Sequence, residues 1–165
     1  MEARPKIKLP LSQFDKTLEI SGKCSIMLLW ILTAVAFFKM PDTIPTHFNA
    51  SGQADNYGNK GTIFVLPIIA TILFIGLTAL NHYPQIYNYP EKITEENAVS
   101  QYSRATRMIR FLKLIMAILF TIIVLSTFLI AIHITSGLGS LFLPLTVALF
   151  CIPTVYSVRM VFNKK

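Results

Sequence analysis

Apolar residues gather into four long runs, separated by polar segments of very unequal length. Residues 25–38, 62–80, 114–135 and 138–158 contain no Asp, Glu, Lys or Arg. A hydrocarbon core of about 30 Å takes roughly 20 helical residues. The last three runs meet that length directly. The first does so if Lys23 and Lys39 lie along the helix and extend their ammonium groups to the two boundaries. In lipid, backbone polar groups must be satisfied within the segment, so each run predicts an α-helix. Barrel strands would alternate polar and apolar residues, and these runs do not. The small residues Ala34 and Ala36 resemble a signal-cleavage site, but Phe37 and Phe38 continue the apolar run past them, so a retained helix is expected. The pattern predicts an all-α integral membrane protein with four transmembrane helices, at about residues 23–39, 62–80, 111–134 and 140–159. It forms a single four-helix membrane domain.

Charge sets the expected orientation. Of fifteen Lys and Arg residues, thirteen fall on one side of this arrangement. They are Arg4, Lys6, Lys8, Lys16 and Lys23, then Lys92, Arg104, Arg107, Arg110 and Lys113, then Arg159, Lys164 and Lys165. Only Lys39 and Lys60 lie on the other. The positive-inside rule then places both termini in the cytoplasm and the segment 40–61 outside. The chain is 53% hydrophobic and 14% charged, well below the roughly 25% charge of a soluble domain. Its net charge of +7 is therefore read as a topology signal. No nucleic-acid partner is expected, because the basic residues follow a membrane face and no nucleic-acid motif accompanies them.

The polar segments differ in kind. Residues 81–110 form a cytoplasmic connection that begins with Pro84, Pro90 and three tyrosines, which suit a headgroup boundary. Thr94 reads as an N-cap with Glu95 and Glu96 in the first turn. One helix is expected from about 94 to 134, so that the third span extends into the cytoplasm. Arg104, Arg107 and Arg110 recur along it and would attract anionic lipid at the cytoplasmic face. Pro67 and Pro144 fall in the outer halves of their spans, where each is expected to bend its helix. Cys24 and Cys151 read as small buried apolar side chains. Four slender helices leave broad lipid-facing surfaces, on which a homodimer is one expectation.

The segment 40–61 is longer than two adjacent helices require, and loops of this length are commonly functional. Pro41 and Pro45 restrict its backbone, while Gly52, Gly58 and Gly61 permit turns with positive φ. Ile44, Phe48 and Tyr57 would anchor it on the helix ends. An ordered extracytoplasmic cap loop is expected. Its pattern Pro41, Ile44-Pro-Thr-His-Phe-Asn49, Gly52, Asp55 and Lys60, set between two apolar helices, resembles a bacterial family of unknown function. That family is found in the N-terminal half of SdpI-type immunity proteins. These are multi-pass proteins of the cytoplasmic (inner) membrane that protect a cell from the sporulation-delaying peptide toxin. The resemblance implies an external peptide ligand, immunity or envelope signalling.

The loop chemistry supports three readings. In the first, an Asp55–Lys60 pair and the Asn side chains close turns, and His47 bonds a backbone carbonyl. In the second, His47, Asn49, Asp55 and Lys60 converge on an external ligand, with His133 approaching from the outer end of the third helix. In the third, His47, Asp55 and His133 form a metal site or an acid–base set. No HExxH or GxSxG motif is present, and the spacing matches no zinc rule. No catalytic residue, metal or cofactor is assigned. The expected function is non-enzymatic binding or sensing of an external ligand. A transporter or channel component is the alternative, and it faces spans without a deep charge.

Overall fold

The computed structural model describes residues 4–140 and 142–162. Helix α1 spans Gln13–Lys39, strands β1 and β2 span Thr43–Phe48 and Ala54–Asn59, and helix α2 spans Val65–Leu80. Helix α3 covers Glu95–Ala131 and helix α4 covers Phe142–Phe162. Short 3-10 turns at Lys60–Phe64 and Pro84–Ile86 precede α2 and follow it. The fold is mostly helical, but the all-α expectation lacked one element. The segment between α1 and α2 is a two-stranded antiparallel sheet.

Three helical stretches are long and apolar enough to cross a membrane: Gln13–Lys39, Lys60–Leu80 and Glu95–Ala131. The apolar part of α4 among the described residues is Phe142–Cys151. The helix starts have local causes. Ser12 caps α1, accepting from the Asp15 N–H at 3.1 Å while Asp15 returns a bond to the Ser12 backbone. Thr94 and Asn97 form the same reciprocal cap on α3. Such a cap satisfies amide donors that have no partner within the helix. Pro67 lies in α2 and Pro144 in α4, each within a helical stretch.

Helix α3 is the spine, packing along α1, α2 and β1. The main core joins Leu29 and Ala36 of α1 and Met40 just past its end with Ile44, Ile63, Ala70, Val124 and Ala131. Ala36, Ala70 and Ala117 are fully buried, and such small side chains let helices approach closely. Gly22 does the same at the inner end, where an added Cβ would stand 3.0 Å from the Phe74 ring. Trp30 Nε1 donates to Thr71 Oγ1 at 2.9 Å across α1 and α2. Both cysteines are exposed on the protein surface, which corrects their buried assignment. In a membrane helix the apolar face is satisfied by lipid, so an apolar residue need not face the core.

The inner end is held by charge. Asp15 accepts from Arg107 Nε at 2.7 Å and from its Nη2 at 3.0 Å. Lys113 Nζ donates to Glu19 and to Thr78 Oγ1, the latter at 2.9 Å. Arg110 Nε lies 3.0 Å from Glu19 Oε1, off the hydrogen-bond direction, so that contact is ionic. Residues 4–12 run against the 84–102 segment, where Ile7 and Leu9 pack on Ile93, Ala98 and Tyr102. Tyr102 donates to Pro5 O at 3.1 Å. Tyr87 and Tyr89 stack on each other. Burial pushes the Tyr87 hydroxyl up to about 12. Tyr89 packs against this small second core.

Candidate functional site

The hairpin starts from a turn that its own side chains close. The Asn49 N–H donates to Gln53 O at 2.9 Å and the Gly52 N–H donates to Asn49 O at 2.8 Å. Gly52 has φ +75°, the left-handed residue of a three-residue hairpin loop. Asn49 Oδ1 accepts from the amides of Ser51 and Gln53, each at 3.0 Å. Asn49 is thus committed to the turn. The strands then pair Thr43 with Asn59, Ile44 with Gly58 and Pro45 with Tyr57, with irregular register near His47. Gly58 therefore stands in a strand, and neither it nor Gly61 has positive φ. Ile44 is 1% exposed and roots the sheet in the helical core. Tyr57 is exposed and does not anchor the loop.

The loop's charged residues pair differently from the expectation. His47 Nδ1 lies 2.6 Å from Asp55 Oδ1 across the two strands, with both side chains substantially exposed. Lys60 Nζ pairs with Asp42 Oδ1 at 2.8 Å, not with Asp55, and lies over the Phe37 ring. The hydrogen bond from Lys60, reinforced by its charge, holds the Asp42 carboxyl below its ordinary 3.8. The reason is register. His47 and Asp55 flank a strand irregularity, while Lys60 follows β2 beside the start of β1, and its N–H donates to Asp42 O at 2.8 Å.

Beyond the hairpin lies a second polar element. The tip docks on the connection between α3 and α4, where Gln53 bridges Gly137 and the Leu138 N–H donates to Gly52 O at 2.7 Å. A Cβ on Gly137 would stand 2.5 Å from Gly52 O, so only glycine permits this approach. Between the two lies an open cavity of about 960 Å³. Pro41, Pro45, Ser51 and Tyr57 line it from the hairpin side, and Ile130, His133, Thr135, Ser136 and Ser140 from the other.

His133 ends α3. It has φ +62°, its N–H donates to Ile130 O at 3.0 Å, and the next N–H, of Ile134, reaches back to Leu129 O at 2.8 Å. This is the helix stop usually occupied by glycine, and histidine tolerates it better than most other residues. The cavity thus includes His133 but has none of His47, Asn49, Asp55 or Lys60 among its walls. Among the described residues, no three His, Cys, Asp or Glu side chains cluster as metal ligands. The sequence reading missed Thr135, Ser136, Gly137, Gly139 and Ser140 as parts of the site. The paired glycines at 137 and 139 were the available signal.

Helices of membrane-crossing length, one pair of them joined by a rooted hairpin, define a helical membrane protein with a capped end. Residues 25–71, from within α1 through the hairpin into α2, match the family described as Domain of unknown function (DUF1648). An uncharacterized protein of Archaeoglobus fulgidus is 31% identical over 122 residues, covering 66% of this chain and 67% of that one. The chain belongs to this DUF1648 family. No solved structure matches it.

Proposed function

We propose that this protein is a non-enzymatic, four-span protein of a prokaryotic cytoplasmic membrane that binds an extracytoplasmic ligand beneath its hairpin. Helix α4 supplies the fourth span, and both termini lie in the cytoplasm. The arrangement of thirteen of the fifteen basic residues on one side supports that orientation. The observation that carries the binding reading is the cavity of about 960 Å³ between the hairpin and the α3–α4 turn. Its size falls within the range of ligand sites. Its walls combine backbone and hydroxyl groups with Ile130, Ile134 and Tyr57, a mixture that suits an extended peptide. Resemblance to SdpI-type proteins supports a peptide toxin and an immunity role.

Binding is favoured over catalysis by the placement of the titratable groups. His47 and Asp55 face each other outside the cavity, and no described lining residue is a carboxylate that would orient His133. A Ser136→Cys variant, with Cys24→Ala and Cys151→Ala, tests both orientation and site. An impermeant maleimide should label the introduced thiol in intact cells and remove their protection against the sporulation-delaying peptide toxin. Labelling only after lysis would overturn the orientation. Undiminished protection after full labelling would overturn the cavity as the site.

A further inference from the structure

At the opposite end of the bundle lies a second cavity, of about 550 Å³, between residues 7–11, the inner end of α1 and the end of α2. Lys23 lines it and immediately precedes the charge-free run of α1. Asn81 and His82 also line it and immediately follow the charge-free run of α2. The cavity therefore sits at the level where two spans leave the hydrocarbon. Its floor is apolar, with Leu9, Ile20 and Pro84 among its walls. Its rim carries Lys8, Lys16 and Lys23, all exposed.

The charge balance is one-sided. Glu19 is the one carboxylate among the described lining residues, and it already faces Lys113 and Arg110. Among the described residues, no carboxylate pairs with Lys8, Lys16 or Lys23. The Tyr87 hydroxyl donates to Leu80 O at 2.9 Å and lies 3.1 Å from the Asn81 side-chain amide, which fixes the wall at the end of α2. The His82 Nδ1–H donates to Thr78 O at 3.0 Å, which orients the ring and leaves Nε2 as its remaining polar atom.

We propose that this cavity is a binding site for the phosphate headgroup of an anionic phospholipid. The lysines meet the phosphate, and the acyl chains follow the apolar wall into the bilayer. An apolar floor under a basic rim at the membrane boundary matches this amphipathic ligand and no small soluble anion. The site differs from the arginine face expected to attract lipid, since Arg107 and Arg110 face Asp15 and Glu19.

Native mass spectrometry of the full chain in mild detergent tests the proposal, with phosphatidylglycerol, phosphatidylcholine and inorganic phosphate as probes. The wild type should retain phosphatidylglycerol in preference to phosphatidylcholine. A Lys16→Gln, Lys23→Gln variant should lose about 30-fold of that preference. A Lys6→Gln, Lys39→Gln variant removes equal charge outside the cavity and should retain it. All four lysines are exposed, so unchanged thermal unfolding confirms that the fold persists. Equal loss in both variants, or no loss in the first, would overturn the site. Displacement of the lipid by millimolar inorganic phosphate would overturn the lipid in favour of a free anion.

Discussion

The ammonium group of Lys113 stands 2.8 Å from Glu19 Oε2, with 1% of its side chain exposed. The same nitrogen donates to Thr78 Oγ1 and lies over the Phe74 ring. One buried cation thus ties α3 to both α1 and α2. Removing Glu19 leaves the Lys113 and Arg110 charges without their shared carboxylate, whereas removing Lys113 leaves Glu19 paired with Arg110. Glu19→Gln should lower unfolding stability in detergent by about 3 kcal/mol, and Lys113→Met by less. A variant as stable as wild type would show the cluster to be energetically idle.

Docking of the hairpin depends on Gly137. An alanine there would place its Cβ 2.5 Å from Gly52 O, so the tip must lift away. Gly137→Ala should cost about 1–3 kcal/mol and accelerate amide exchange at Leu138, whose N–H donates to Gly52 O. The cavity beneath would open, and ligand protection should fall with it. Unchanged exchange at Leu138 would refute the docking.

His133 separates conformation from chemistry. Its φ of +62° costs an L-residue about 1 kcal/mol that glycine does not bear. His133→Gly should therefore retain or slightly raise the melting temperature, while His133→Val should lower it. If the imidazole contacts the ligand, His133→Gly should also reduce protection against the peptide toxin. Full protection in a stable His133→Gly protein would assign His133 to the helix stop alone.

The Asp42–Lys60 pair predicts a pH signature. Because its folded value is lowered, Asp42 contributes stability above its unfolded 3.8 and loses it as pH falls through the lowered value. Carboxyl carbon NMR should give Asp42 a midpoint below 3.8 in the wild type. Lys60→Gln should return that midpoint toward 3.8. An unshifted midpoint in the wild type would remove Lys60 as its partner.

Much of the helical scaffold was legible from local signals. Apolar runs of membrane length mark the helices, and Thr94 marks the start of α3 well before its apolar stretch. The hairpin was not legible as a sheet. Pro45 and Gly58 lie within its strands, and both residue types are poor strand formers. It forms because Asn49 and Gly52 close the turn and Ile44 is buried among the helices. The site was half legible. His133 and the prolines line the cavity, whereas His47, Asn49, Asp55 and Lys60 are committed within or beside the hairpin. The Asp15 and Glu19 clusters were also hidden, since their partners lie over ninety positions away in the chain.

By itself, the sequence determined that this protein is helical and where three membrane-length helices run. That information is local, because transfer into lipid depends on consecutive apolar residues and each helix satisfies its own backbone. Only the tertiary structure decided that Gly52 meets Gly137, that Asp55 takes His47 and Lys60 takes Asp42, and that cavities open at both ends. Those outcomes depend on strand register and on how closely helices approach. Both are set by contacts between distant residues, which local patterns of hydrophobicity do not encode.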